Sequence, residues 1–575
     1  MVPLSRCLKF RAVAGAVRYQ CRYQSMQNIV KSPLPDVEVP DNLLLHEYLL
    51  SGLDKWHDKT AVECLDTSRK FTYAEINKKS DAFAGFLHSL DLQNGDVIAV
   101  VLTNVPEYFV ALIGGMKAGV VISTINPAYT ASEIKKQLIN CHAKLVVTLA
   151  GLYPTIREAV DGVLREDQGR HGRHQLPIVA INHTPNESSP SGCIKFNEVT
   201  SKEWPKRTRA SPKAEDVCLL PYSSGTTGLP KGVQLTHRNL VANALQAGAP
   251  EVKFTTETHG SNQDVVPIML PMFHLYGLGV IGINLFAQGV KFITLPKFTT
   301  DAFAQVLHQQ SPSILFVVPP MILMLLNNPI LKLEKLSRSV RALVSAAAPL
   351  GAADIERFRE RTANAIHLLQ VYGLTETSPL THVQSFHLQN AIKIGGSGMT
   401  LPNTLCKICT PGEPNSVALG PHQPGELLIK GPQVMKGYLN NDQANRDTIS
   451  ADGWLRTGDI AYYDDDGHFF ITDRLKELIK VKGFQVAPAE LEEVLRDHPD
   501  IADAAVIGVP DVNSGEAPKA FVVLRPEARA TVDDIHAYMA DKVVKYKQLR
   551  GGIVLLDAIP KTASGKILRR NLKDL

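Results

Sequence analysis

Hydroxyls, glycines and a single lysine crowd the stretch from Tyr222 to Val233, YSSGTTGLPKGV. Ser223, Ser224, Thr226 and Thr227 stand in pairs around Gly225 and ahead of Gly228, and Lys231 follows Pro230. Glycine lets backbone N–H groups approach an anion closely, hydroxyls add donors and a lysine adds a mobile positive charge, so the set suits a polyphosphate. In the mononucleotide P-loop the lysine is followed by a hydroxyl that binds magnesium, whereas here Gly232 follows Lys231. A metal must then be held by residues elsewhere. An ordinary Ser/Gly-rich turn has a similar composition, so the chemistry rests on what accompanies the stretch.

Six other motifs accompany it: PMFHLYGL at Pro271, SAAAPL at Ser345, VYGLTET at Val371, GWLRTGD at Gly453, ITDRLKELIKVKG at Ile471 and PKTASGK at Pro560. Together, and in this order, they resemble the adenylate-forming superfamily over about residues 45–570. The nearest group is that of the 4-coumarate-CoA ligases, luciferase-like enzymes and medium-chain acyl-CoA synthetases. The resemblance implies a two-step reaction. A carboxylic acid and MgATP give an acyl-AMP and pyrophosphate, and the thiol of CoA then displaces AMP. Because the first step brings a carboxylate against a phosphate, cations and fixed donors must screen both anions.

The resemblance assigns roles position by position. Lys566, in SGK, reaches the α-phosphate and the substrate carboxylate from the small domain. Glu376 helps to place Mg2+, a hard cation suited to carboxylate and phosphate oxygens. Thr375 and Gly373 lie beside the nucleotide, the Tyr372 ring packs on adenine, and Asp459 with Arg474 binds the ribose hydroxyls. His274 orients the acyl carboxylate. Lys480, Lys482 and Gly483 serve the CoA step, and Lys476 marks the hinge. The implied acyl pocket involves Leu275, Tyr276, Gly279, Val344, Ala346 and Gly373. An apolar Val344 just before SAAAPL removes a partner for a phenol hydroxyl, so the expected acid is medium-chain or otherwise apolar rather than a hydroxycinnamate.

These residues need a scaffold, and the length and patterning supply one. A chain of 575 residues is too long for one core, and its 44% hydrophobic and 21% charged residues are those of a folded globular protein. From about Asn42, short apolar runs such as VIAVV at Val97 alternate with amphipathic ones, the pattern of a helix-covered parallel sheet. A second such unit starts near Val265, and from about Ile394 to Ile471 short β segments alternate with Gly, Pro and Asp. The expected class is α/β, with a large N-terminal domain over 42–474 built of two α/β lobes and a small β-barrel. A smaller, mobile α+β lid follows over 475–575.

The net charge of +4 implies no nucleic-acid partner. The longest apolar run, Ile314 to Leu326, contains Pro319 and Pro320 and falls short of the roughly 20 residues that span a bilayer. Eight cysteines at irregular spacing predict free thiols, and Cys406 and Cys409 read as alternating strand positions rather than a metal or redox pair. His171 and His174 read as a solvated loop. The first acid is Asp36, and Arg6, Lys9, Arg11, Arg18 and Arg22 precede it among apolar residues. That composition predicts a mitochondrial transit peptide over residues 1–30 and a matrix location, with plastid or cytoplasm as the alternatives. A luciferase-like oxygenase, a 4-coumarate-type aryl-CoA ligase and a nucleotide-binding protein without catalysis share the same motifs. Oxygen-dependent light, an aromatic-acid preference and a lack of acid-dependent pyrophosphate exchange would distinguish them.

Overall fold

The computed structural model describes residues 28–167, 175–184, 186–205, 211–223, 230–331, 333–336, 338–348, 350–388, 392–413, 417–482, 484–512, 514–562, 565–573 and 575. Ser224, Gly225, Thr226, Thr227, Gly228, Gly483, His171, His174 and residues 1–27 of the expected leader lie outside them.

The first lobe is a sheet with a parallel centre, in which Val97–Val101 lies between Val121–Thr124 and Leu145–Leu149. Strands such as LVVTL are buried throughout because both faces are covered. The helix Tyr73–Ser89 starts in a capping box between Thr72 and Glu75, and its Phe83 and Leu87 are fully buried. The antiparallel strands Tyr222–Ser223 and Lys231–Thr236 stand at one edge and pair Ser223 with Lys231.

In the second lobe Val265–Ile268, Lys291–Thr294, Ile314–Val317, Ala342–Ser345 and His367–Gly373 run parallel in two sheets that abut where the Ser313 N–H donates to the Val265 carbonyl. Two strands that precede the first lobe's in the chain belong here. Thr60–Cys64 pairs with Lys291–Thr294 through Val62 and Phe292, and Lys70–Thr72 pairs with it in turn.

The expected barrel is an antiparallel sheet of Leu405–Cys409, Gly425–Lys430, Leu455–Tyr463 and Phe469–Arg474, with Val30–Lys31 added beside Leu405–Cys409. Val30 is 2% exposed and pairs with Cys406. The large domain thus recruits chain ahead of residue 42, and a leader running to residue 30 would include part of a core strand. Cys406 and Cys409 pack into separate hydrophobic clusters, as strand neighbours of opposite facing do. No disulfide joins the cysteines among the described residues. No helix among them is long and apolar enough to cross a membrane.

After Arg474 the chain builds its own core from Ile479, Leu491, Val506, Val522 and Ile535. The hairpin Ile501–Asp511 with Gly515–Leu524 and the helices Pro488–Arg496 and Val532–Lys542 enclose it. A separate core is what lets such a unit move as one body.

Candidate active site

The cavity lies between the two domains and has a volume of about 360 Å³. His274, Tyr372, Asp459 and Arg474 reach it from the large domain and Lys566 from the small one.

On the polyphosphate side, Glu376 sits in a helical turn, Thr375–Thr377, that follows strand His367–Gly373. Only glycine fits at 373, where an added Cβ would come within 2.0 Å of the Pro379 carbonyl oxygen. The Glu376 Oε1 accepts hydrogen bonds from Ser223 Oγ at 3.0 Å and from the Tyr438 hydroxyl at 2.9 Å. Lys231 Nζ stands 4.9 Å from the centroid of the Tyr438 ring. One carboxylate, two hydroxyls and one ammonium therefore meet at the mouth of the loop. Hard oxygen donors of this kind suit Mg2+ shared with phosphate oxygens, and Glu376 and Ser223 are the residues that would hold it. Tyr438 is a member of this group that sequence reasoning missed. It arrives from far along the chain because Gly437–Tyr438 pairs with Lys231–Thr236 through Val233 and Tyr438.

On the nucleoside side, the Tyr372 hydroxyl donates to Asp459 Oδ2 at 2.6 Å, and Arg474 Nε pairs with Asp459 Oδ1 at 3.0 Å. Asp459 is 3% exposed. Burial and the neighbouring Asp459 charge push the Tyr372 phenol far above its usual range, so it remains a donor. Strand pairing sets this geometry, because Asp459 and Arg474 are direct partners on adjacent antiparallel strands. A carboxylate held between a phenol and a guanidinium presents a fixed acceptor for neighbouring ribose hydroxyls.

Lys566 is carried on a tight turn in which the Thr562 N–H donates to the Lys566 carbonyl at 2.8 Å and the Lys566 N–H to Thr562 Oγ1 at 3.1 Å. Gly565 adopts a φ of +81° and presses on Val318 of the large domain, where a Cβ would meet Cγ2 at 3.1 Å. A glycine before the lysine thus lets the turn seat against the other domain. Burial, and then the Arg474 charge, draw the Lys566 ammonium below its ordinary range.

His274 precedes a π-helical segment, Tyr276–Ile283. Burial draws its imidazole down to about 4, so it is neutral at physiological pH. Leu275, Tyr276, Ala346 and Gly373 line the cavity as expected. Gly279 and Val344 do not line it. Gly279 faces Pro379, which an added Cβ would meet at 2.8 Å, and Val344 is wholly buried in the core with its carbonyl accepting from the Tyr276 hydroxyl at 2.8 Å. Val344 therefore carries no information about the polarity of the acid. The next residue, Ser345, is at the wall instead, and its buried hydroxyl has no partner among the described residues.

Lys480 and Lys482 are exposed on a small-domain hairpin and are not among the cavity residues. Lys476 lies in the turn between Phe469–Arg474 of the large domain and Ile479–Val481 of the small one. The cavity brings together His274, Tyr372, Thr375, Asp459, Arg474 and Lys566, while Ser223, Glu376 and Lys231 meet outside its lining and Lys480 and Lys482 lie away from it.

Buried neutral histidines make acid a specific threat to this fold. Burial lowers His46, His237 and His274 to about 4 and His382 to about 3. Between those values and the ordinary 6.5 the unfolded chain binds more protons than the folded one, so stability present above pH 6.5 is lost as pH falls toward 4. Burial pushes Asp473 the other way, up to about 7, which offsets part of the loss. Thermal midpoints should fall on going from pH 7 to pH 5, and the fall should be smaller in a His382→Asn variant. An equal fall in both would contradict the histidine account.

Family models for the AMP-binding enzyme match residues 51–439, and for the AMP-binding enzyme C-terminal domain residues 490–566. The chain is 38% identical to 4-coumarate-CoA ligase 1 of Narcissus pseudonarcissus over 95% of its own length and 96% of the relative's. It is 36% identical to 4-coumarate-CoA ligase 1 of Arabidopsis thaliana over 98% of each chain. Among solved structures, ATP-bound MatB from Rhodopseudomonas palustris superposes with a TM-score of 0.80 at 26% identity, covering 93% of this chain and 98% of that one. A benzoate CoA ligase from Burkholderia xenovorans LB400 does so with 0.77 at 26% identity, covering 92% and 99%. ATP, Mg2+ and CoA are the reagents of such ligases together with a carboxylic acid, and the chain belongs with them, as an adenylate-forming acyl- or aryl-CoA ligase of the AMP-binding enzyme family.

Proposed function

We propose that the acid is a carboxylate with a compact, largely apolar body, an arylpropenoic acid of the kind named by the relatives being the first to test. The observation that carries this reading is the cavity of about 360 Å³ in which Lys566, Asp459 and Arg474 meet His274, Tyr276 and Ala346. The acyl group shares that space with the nucleotide, and the acids named by the relatives and by the solved benzoate ligase support a compact body. The unpartnered Ser345 hydroxyl in its wall suits an acid that carries a polar substituent. A medium-chain aliphatic acid is the second reading, favoured by Leu275, Val280 and Ala346 in the same wall.

In the first step a carboxylate oxygen bonds to the α-phosphorus as the bond to the pyrophosphate oxygen breaks. Lys566, which enters the cavity from the small domain, would donate to both anions, and Arg474 adds charge beside it. Neutral His274 orients the carboxylate without adding a competing charge. Bound Mg2+ supplies charge neutralisation on the polyphosphate. In the second step the CoA sulfur bonds to the acyl carbon, AMP leaves with the bonding electrons, and the thiol proton passes to solvent. A small domain turned about Lys476 would withdraw Lys566 and bring Lys480, Lys482 and Gly483 to the cavity.

A panel of cinnamic, 4-coumaric, benzoic, octanoic and palmitic acids, followed by AMP release with and without CoA, tests the reading. Highest kcat/KM is expected for a compact acid, and preference for palmitate would overturn it. We further propose a mitochondrial matrix location, supported by the acid-free, arginine-rich start of the chain. Removal of residues 1–27 should abolish uptake by isolated mitochondria while leaving ligase activity intact, and uptake of the shortened chain would contradict it.

A further inference from the structure

Two helices meet at the seam between the domains, and neither has a side-chain cap of its own. Ala352–Arg361 of the large domain starts at Gly351, and Pro488–Arg496 of the small domain starts at Ala487. Each takes a carboxylate from the other domain instead. Glu493 Oε1, on the small-domain helix, accepts the Ala352 N–H at 3.1 Å. Asp473 Oδ2, on the large-domain strand Phe469–Arg474, accepts the Ala489 N–H at 3.1 Å, while its Oδ1 accepts the Arg474 N–H at 2.7 Å. Asp473 is 7% exposed, and Asp473, Ala489 and Gly351 border the same cavity that Lys566 enters.

We propose that Asp473 and Glu493 are positioning residues for the acid-activation step, a reciprocal pair of helix caps that latches the small domain with Lys566 over the cavity. Free N–H groups at a helix start seek an acceptor, and the positive end of the helix dipole favours a carboxylate. Both caps satisfy that demand across the seam, so they exist only while the domains keep this arrangement. A turn of the small domain about Lys476 exchanges both for water. A buried charge network nearby lies within the small domain, since Arg569 pairs with Glu477 at 2.8 Å and with Glu492, and Asp354 of the large domain adds longer-range attraction to Arg496 and Arg525 across the seam. The Arg569 network holds the small domain together, whereas the two caps hold the domains to each other. Asp473 also sits one residue before Arg474, so the latch is continuous with the ribose-binding pair.

The inference rests on the reading that Lys566 acts in acid activation and not in thiol transfer. Acid-dependent pyrophosphate exchange and CoA attack on supplied acyl-AMP are measured separately on the full chain. With a cap worth about a fivefold shift in equilibrium, Glu493→Ala is expected to lower exchange about fivefold and the Asp473→Ala/Glu493→Ala pair about twentyfold. Attack on supplied acyl-AMP should hold steady or rise. Glu493→Gln and Asp473→Asn keep an oxygen acceptor and should restore exchange to within about twofold of the parent. Equal loss in both half-reactions, unaltered exchange in the double alanine variant, or failure of the amide variants to restore it would overturn the latch. A parent enzyme with no acid-dependent exchange would instead overturn the functional reading.

Discussion

Lys566→Ala is expected to cut acid-dependent pyrophosphate exchange by about 10²–10³-fold, the usual effect of deleting one preorganised donor to developing charge. Lys566 enters the cavity from the small domain on the turn that Gly565 seats against Val318. Without the ammonium, the carboxylate and the α-phosphate lose the donor they share, and Arg474 beside it is already paired with Asp459 at 3.0 Å. The effect should be confined to one half-reaction. CoA attack on supplied acyl-AMP is expected to change less than about tenfold, because that step has no second anion to bring against the phosphate. A comparable loss in both would show that Lys566 holds the fold or the nucleotide and does not serve the activation step.

Glu376→Gln should produce the next largest loss, about 10²-fold in exchange, with the Mg2+ midpoint raised at least about tenfold. The amide still accepts from Ser223 and Tyr438, which donate to Glu376 Oε1 at 3.0 and 2.9 Å. The local structure should therefore persist, and only the charge is removed. A Mg2+ titration of exchange reads this directly. An unchanged midpoint would place the metal on other residues.

Much of the site is legible in the amino-acid sequence because its motifs are local. Seven short stretches hold most of the residues expected to do the chemistry, and strand or turn geometry positions the described ones within a few residues of each. The Asp459–Arg474 pair and the Lys566 turn fall where PKTASGK and the TGD and DRLK sequences put them. What sequence does not show depends on long-range pairing. Tyr438 joins Glu376 only through its ladder with Val233, and nothing in GYLN signals that. Thr60–Cys64 crosses to the second lobe by pairing with Lys291–Thr294, a partner that period-2 patterning cannot name.

Val344 misleads for a related reason. Ala342–Ser345 is a parallel strand buried on both faces, so its apolar run carries no sign of which residue meets a cavity. One step in register separates Val344 in the core from Ser345 at the wall, and that step changes the substrate expectation. The reciprocal caps are equally hidden. Gly351 and Ala487 mark helix starts without a capping residue, and only the packing of two domains shows what replaces it.

The central claim is that one cavity joins a carboxylic acid to AMP before any thiol takes part. Incubating the full chain with MgATP and a compact acid, without CoA, and following both nucleotide products and the acid by mass spectrometry tests it most directly. The account predicts acyl-AMP with pyrophosphate, and conversion to thioester with AMP once CoA is added. Thioester formed with ADP and phosphate, and no acyl-AMP at any time, would contradict it.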